Sequence, residues 1–174
     1  MVIDVVDGEF GPASRNRLAE IARPDRRGAL AALETFYFAV HHRDLGALSA
    51  VLSQHELVQV DDPVGGVVRS AAAVTGLHRR ILAGGLGLTV TLVDAVAYAG
   101  DGVVVFAGRE IGRYRERDGC TVALTIRTTR AFGYCRDAGC WQQLHHHGSI
   151  DEAGELAAYQ RAVGSWCGAG PTIS

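Results

Sequence analysis

The stretch VVVFAGREIGRYRERDGCTVALTIRTTRAFGYCRDAGCWQQLHHHGS, residues 103–149, decides the fold. It contains three runs rich in β-branched and aromatic residues, separated by two short segments of turn-forming residues. The first of these segments carries Asp118-Gly119, and the second spans residues 136–139. Runs of this kind joined by such turns predict three long antiparallel strands.

The first turn sets which residues of the first two strands lie opposite one another. If Asp118 and Gly119 are the two loop residues of a type I′ turn, Arg109 lies opposite Thr128. Alternate side chains of a strand share a face, so this register places both on the same side of the sheet. A slip of one residue would reverse every assignment.

The second turn, taken as four residues, adds two histidines to that side. It places Arg130 opposite His145 and Thr128 opposite His147, whereas His146 falls on the other face. The remaining side chains of the first face are apolar, which makes it the predicted core face. They are Val105, Ile111, Leu124, Ile126, Phe132, Tyr134 and Trp141.

One further strand is predicted before these three, over residues 88–98. The loop of residues 99–102 then sets Asp94 opposite Ala107, on the core face and diagonal to Arg109. Two buried arginines are costly unless they are paired or line a wet cavity. The pattern therefore predicts a pocket in which Asp94 neutralises one arginine and leaves the other free for a ligand.

The rest of the chain is organised around this sheet. Residues 1–27 are predicted to be a loosely ordered N-terminal arm, residues 28–149 the domain that contains the sheet, and residues 150–174 a C-terminal helix and tail. Helical periodicity runs through residues 27–53, where Asp44 caps a second helix, and Ser70 caps a third over residues 71–82. Helices followed by a long antiparallel meander predict an α+β fold.

Composition excludes several classes of partner. The chain has 174 residues, a net charge of −2 and a pI near 6.4, so no strong field would attract nucleic acid or an anionic membrane. No apolar run approaches the length of a membrane span, and we expect a cytoplasmic protein. The four cysteines lack zinc spacing, and we expect them to be free thiols, although Cys135 and Cys140 face each other across the second turn.

The order of elements and three motifs resemble the nuclear transport factor 2-like superfamily. The resemblance covers about residues 28–149, and its nearest branch contains SnoaL-like polyketide cyclase domains and the association domain of calcium/calmodulin-dependent kinase II. The motifs are Phe36-Tyr37-x-x-Val40, Asp44-Leu45-x-x-Leu48, and Thr129-Arg130-x-Phe132 followed by Trp141-Gln142-x-x-His145-x-His147-x-Ser149.

This resemblance implies a cone-shaped, curved antiparallel sheet wrapped around N-terminal helices, as in cystatin-like folds, with a deep pocket at the open end. It implies a protein that is often a homodimer. Relatives of this kind include isomerases, cyclases, epoxide hydrolases and dehydratases, as well as non-enzymatic assembly modules. Arg109, Arg130 and His145 match pocket-lining positions of the association-domain branch.

Candidate roles follow from the predicted cluster. His145 or Asp94 would move a proton, and Arg130 and Arg109 would stabilise developing negative charge. A metal held by His145, His147 and Asp94 is an alternative, but we expect neither metal nor cofactor. A structural salt-bridge network remains an equal alternative. The predicted ligand-binding residues are Arg109, Thr128, His147, Tyr37, Trp141 and Asp61.

The favoured hypothesis is a cofactor-free cyclase, isomerase or hydratase that acts on an apolar, oxygenated molecule such as a polyketide or terpenoid. The alternative is a non-catalytic module of the same fold, which binds a carboxylate-bearing molecule or assembles with other copies.

Overall fold

The computed structural model describes residues 1–167, without the side chains of residues 166 and 167. Four α-helices and a seven-stranded curved sheet form an α+β fold, as the sequence predicts. The helices are α1 (Arg26–His42), α2 (Leu45–Val51), α3 (Ala71–Ala83) and α4 (Ala153–Cys167). The strands are β1 (Val2–Val5), β2 (Gln59–Asp61), β3 (Val68–Arg69), β4 (Thr89–Ala99), β5 (Val103–Arg115), β6 (Thr121–Cys135) and β7 (Cys140–Ser149).

The strand order is β1-β4-β5-β6-β7-β2-β3, and only the β2–β7 pairing is parallel. The long meander of β4 to β7 curves around α1, whose buried side includes Leu33, Phe36 and Tyr37. Helix α1 therefore fills the cone, and its side chains meet the inner face of the sheet. None of the helices within residues 1–167 is long and apolar enough to span a membrane.

Side-chain caps start the first three helices. Asp25 accepts hydrogen bonds from the backbone N–H groups of Arg27 and Gly28 at the start of α1. Asp44 and Ser70 cap α2 and α3, as their positions in the sequence indicate. These oxygens satisfy backbone donors that have no partner within the helix.

The N-terminal residues have more structure than the prediction of a loosely ordered arm. Strand β1 pairs with β4 at one edge of the sheet. The backbone of Phe10 exchanges hydrogen bonds with Leu92, and the side chains of Val6 and Phe10 are buried. One 3₁₀ turn, Leu18–Glu20, precedes α1. The tail predicted beyond residue 167 lies outside the described residues.

The turn between β5 and β6 differs from the predicted one. Glu116, not Arg117, lies beside Cys120, with the Glu116 N–H donating to the Cys120 carbonyl at 2.9 Å. The loop therefore has three residues and ends at Gly119, whose φ is +92°. This is the type I turn with a left-handed third residue that closes three-residue hairpins. The extra residue shifts the β5–β6 register by one, so Arg109 pairs with Arg127 instead of Thr128.

The turn between β6 and β7 matches the prediction, but a bulge then changes the pairing. Cys135 lies opposite Cys140 and Phe132 opposite Gln143, as expected. Leu144 is an extra residue in β7, so Arg130 pairs with His146 instead of His145. A bulge of one residue reverses the facing of the residues beyond it.

Candidate functional site

A buried ion pair lies on the inner face of the sheet. Arg130 Nη2 donates to Glu110 Oε1 at 2.8 Å, and each side chain is 4% exposed. The Tyr37 hydroxyl donates to the same carboxylate oxygen at 2.5 Å and accepts from Arg130 Nε at 3.2 Å. Burial and the Glu110 carboxylate keep the pKa of Tyr37 well above its usual value, so this hydroxyl stays protonated.

The guanidinium of Arg130 makes two more contacts. Its Nη1 donates to Gln143 Oε1 at 3.0 Å, and its central carbon lies 4.0 Å from the centre of the Phe36 ring. Burial opposes the charge on Arg130, but Tyr37 and Glu110 outweigh it and raise the pKa of Arg130. The three hydrogen bonds use three of the five N–H donors, which leaves two for a ligand oxygen.

Two buried histidines lie near this ion pair. His78 of α3 bonds through Nδ1 to the Val74 carbonyl at 2.9 Å, so its Nε2 carries a lone pair in the neutral ring. Burial lowers the pKa of His78 to about 4. His146 Nε2 lies 3.1 Å from Thr128 Oγ1, and burial together with Arg130 holds the pKa of His146 well below its usual value. Both imidazoles are neutral at pH 7.

A carboxyl group with a raised pKa completes the cluster. Asp62 follows β2, and its Oδ1 accepts from the Val64 N–H at 3.0 Å, which orders the turn. Burial raises the pKa of Asp62 from 3.8 to about 6. A carboxyl with such a pKa exists in both protonation states near neutral pH.

These groups line one partly enclosed chamber of about 60 Å³, which holds only a few water molecules. Its polar lining consists of Asp62, His78, Glu110, Arg130 and His146. Apolar side chains complete it: Phe36, Val40, Pro63, Ile81, Leu82, Leu88, Val90, Ile126 and, from α4, Tyr159.

The structure corrects the predicted positions of Arg109 and Asp94. Both side chains lie on the outer face of the sheet, 57% and 63% exposed, and form an ion pair there. The pairing of these two residues was predicted, but their location in the core was wrong. The hairpin register turns Arg109 outward, and Asp94 occupies an irregularity in β4 with a φ of +51°.

Two of the predicted histidines are also corrected. The bulge at Leu144 leaves His147 exposed and His145 half-buried, while His146, expected outside, is buried. The metal site of His145, His147 and Asp94 is therefore not formed. Within residues 1–167, no three His, Cys, Asp or Glu side chains are grouped to hold a metal ion.

Of the other predicted site residues, Arg130, Thr128 and Tyr37 lie inside the cone. Trp141 is buried away from the chamber lining, where its Nε1 donates to the Arg23 carbonyl at 2.8 Å. Asp61 also lies outside the chamber lining, and its Oδ2 accepts from Gln59 Nε2 at 2.9 Å.

A family model described as a SnoaL-like domain matches residues 29–151, which is most of the chain and includes the whole sheet from β2 to β7. The chain belongs to the SnoaL-like family. No curated protein sequence is significantly similar to this SnoaL-like protein.

Solved structures agree on the fold of this SnoaL-like protein. A "putative dehydratase from the NTF2-like family" of Streptomyces avermitilis has 18% identity and a TM-score of 0.65, covering 74% of this chain and 98% of its own. A nuclear transport factor 2-like superfamily protein from Salmonella enterica has 14% identity and a TM-score of 0.61, covering 74% and 94%. The association domain of C. elegans CaMKII has 15% identity and a TM-score of 0.55, covering 76% and 98%. At these identities the similarity shows the fold alone.

Of the chamber's five polar residues in this SnoaL-like protein, the sequence analysis predicted only Arg130 as a site residue. Glu110 and His146 were not predicted on the inner face, because the predicted β5–β6 and β6–β7 pairings each differ by one residue from those in the structure. Of the neighbouring carboxylates Asp61 and Asp62, the prediction selected Asp61, whereas Asp62 lines the chamber. A three-residue loop that ends at Gly119 would have given the register that places Glu110 on the inner face. The sequence permits such a loop, because its last residue is commonly a glycine in the left-handed conformation.

Proposed function

We propose that the chamber binds a small oxygenated organic molecule and that this SnoaL-like protein is a cofactor-free enzyme of the isomerase, cyclase or hydratase type. Asp62 moves the proton in this proposal. The observation that carries it is that the Asp62 carboxyl lines the same chamber as two neutral imidazoles and a buried ion pair, where burial raises the pKa of Asp62 to about 6. An acid–base group works best when its pKa lies near the operating pH.

The protonation states divide the roles. At pH 7 most Asp62 is ionised and accepts a proton from a carbon beside a carbonyl group; the acid formed can then return the proton elsewhere. The lone pair on His78 Nε2 accepts a hydrogen bond from a substrate hydroxyl. The unused N–H donors of Arg130 face developing negative charge on the substrate oxygen.

This assignment gives Asp62 the role that was predicted for Asp94, and it gives His78 or His146 the role that was predicted for His145. Arg130 keeps its predicted role. Family membership supports a small-molecule-binding or cyclase/isomerase-type protein. Structures with this fold include a protein called a putative dehydratase and an association domain, so the fold itself is compatible with either kind of role. The homodimer and the cytoplasmic location remain predictions.

A second function has one specific observation in its favour. The chamber of about 60 Å³ is far below the roughly 300–1,000 Å³ of ordinary ligand pockets, and Glu110 already neutralises Arg130. A non-catalytic module would use the ion pair to hold the cone together and would bind no substrate.

The test begins with binding. Small phenols, cyclic ketones and carboxylic acids are screened by thermal shift, because a ligand of the native state raises the apparent melting temperature. For each hit, proton NMR in D₂O follows exchange of carbon-bound hydrogens and formation of isomerised or dehydrated products.

Asp62→Asn is the decisive variant, because asparagine keeps an oxygen at Oδ1 for the Val64 N–H but cannot take up the proton. We expect it to retain binding and lose turnover by at least about 100-fold. The matched control is Asp61→Asn, the neighbouring carboxylate outside the chamber lining, which should keep turnover. Full turnover by Asp62→Asn would refute the catalytic role, and a wild-type protein that binds none of the screened molecules would support the non-catalytic module.

A further inference from the structure

The partly enclosed chamber adjoins a second crevice, and the two spaces share four apolar lining residues. The crevice has a volume of about 150 Å³ and lies where the ends of α1 and α3 meet the start of β4. Four residues line both spaces, and we call them the wall: Val40, Ile81, Leu82 and Leu88. The outer side of the crevice is formed by His41, Arg43, Gly84, Gly87 and Thr89.

The wall is one side chain thick. Val40, Ile81 and Leu88 contact the chamber and are also half-buried at the surface, whereas Leu82 is buried. A side chain that lines an interior space and also reaches the surface has no second layer of protein behind it. Rotation of such a side chain would therefore join the two spaces directly.

The opposite side of the chamber is closed by more contacts. Tyr159 of α4 is 3% exposed and packs edge to face on Tyr114, with ring centres 5.3 Å apart. Gln160 Nε2 donates to the Pro63 carbonyl at 3.1 Å, and Val163 is buried beside them. Opening this side would break the hydrogen bond and expose the apolar side of a helix, which is more costly than rotating surface side chains.

The turn between α3 and β4, beside the wall, is anchored at Leu86. Leu86 is fully buried, and its carbonyl accepts from the Arg115 N–H at 2.7 Å. Gly85 and Gly87 flank it, and Gly87 has a φ of +56°, a conformation that favours glycine. The backbone therefore stays anchored at Leu86, and the wall opens through its side chains instead of through departure of the loop.

We propose that ligands enter the chamber through this wall and that Leu88 is the main gating residue. The inference deepens the proposed function, and it rests on that function only in taking the chamber as the ligand site. Displacing Leu88 outward also merges the two volumes, which makes room for a molecule larger than the closed chamber holds.

The test measures access directly with a thiol placed inside the chamber. The four native cysteines are replaced by serine, and Ile126→Cys puts a thiol at a chamber position that is 4% exposed. Methyl methanethiosulfonate is the probe. The introduced thiolate attacks the divalent sulfur of its S-methyl group, the sulfur–sulfonyl bond breaks, a methyl disulfide forms, and methanesulfinate leaves. Val90→Cys, also in the chamber lining, serves if the first variant folds poorly.

Three substitutions are compared in that background. Leu88→Ala should raise the labelling rate at least about tenfold, since it removes most of the gating side chain. Gln160→Ala, which removes the hydrogen bond to Pro63, should change the rate less than about twofold. Leu48→Ala, in the buried side of α2 and outside the chamber lining, controls for general loss of stability.

The outcomes separate the alternatives. Acceleration by Leu88→Ala beyond both controls supports the wall as the entrance. Equal or greater acceleration by Gln160→Ala would overturn the proposal in favour of entry at α4, and labelling in every variant at the rate of global unfolding would show that the wall does not open. Because labelling requires no turnover, this result is independent of whether Asp62 is catalytic.

Discussion

Arg130 and Glu110 form an ion pair of 2.8 Å in which both side chains are 4% exposed. Removing one partner leaves a buried charge unpaired, so we expect Glu110→Gln and Arg130→Met each to lower the free energy of unfolding by about 3–5 kcal/mol. The double variant should cost less than the sum of the two. Urea denaturation measures all three values.

Arg109 and Asp94 provide the matched control, because they form the same kind of pair on the exposed outer face. We expect Asp94→Asn to change the free energy of unfolding by less than about 1 kcal/mol. Similar losses at Asp94 and Glu110 would contradict the assignment of the two faces.

Asp62 should destabilise the fold above pH 6. Its pKa is raised from 3.8 to about 6, so the folded protein favours the protonated form, and this contribution to stability is lost as the pH rises from 3.8 through 6. Asp62→Asn removes the charge, and we expect it to be more stable than the wild type by about 1–3 kcal/mol at pH 7.5 and by much less at pH 4.5. A gain of equal size at both pH values would show that charge burial is not the cause.

His78 should contribute to acid unfolding. Its pKa is lowered from 6.5 to about 4, so the folded state favours the neutral ring; stability is full above pH 6.5 and falls as the pH drops toward 4. The loss amounts to as much as about 3 kcal/mol. His78→Leu should flatten this part of the stability–pH curve, whereas His147→Leu, on the exposed outer position, should leave its slope unchanged. An unchanged slope in His78→Leu would refute the prediction.

The fold was predictable from the sequence, but the inner face was only partly so. Alternation along residues 121–135 correctly placed Leu124, Ile126 and Arg130 inside. The facing of the β5 side chains depends on the length of the loop between β5 and β6. Asp118-Gly119 fits a two-residue loop as well as the last two positions of a three-residue loop. This difference of one residue in loop length placed Arg109 on the predicted inner face, where the structure has Glu110.

Bulges were the second obstacle, because nothing in the local sequence marks them. Leu144 resembles any apolar strand residue, yet it is the extra residue of β7 and is 39% exposed. Asp94 likewise occupies the β4 irregularity. Such positions are set by how the curved sheet packs on α1, which is a tertiary effect that strand alternation does not contain.

The correctly predicted end of the β6–β7 hairpin can be checked chemically. Cys135 and Cys140 lie directly opposite each other as free thiols, and residues so paired have Cα atoms about 4.5–5.5 Å apart, within the range of a disulfide. Oxidised glutathione should therefore join them in the monomer by two exchange steps that release two molecules of reduced glutathione. Peptide mapping detects the bond, and Cys120 should not enter it. Failure of Cys135 and Cys140 to pair would contradict this register.

The extra residue in β7 also lets this strand change length without changing the interior. Loss of Leu144 would close the bulge, yet Gln143 would stay opposite Phe132 and His146 opposite Arg130, so both would still face inward. Loss of one residue from the regular middle of β6 would instead turn every side chain beyond it to the other face. One-codon deletions are therefore tolerated more readily at Leu144 than elsewhere in the meander, and relatives with a shorter strand can keep the same interior imidazole.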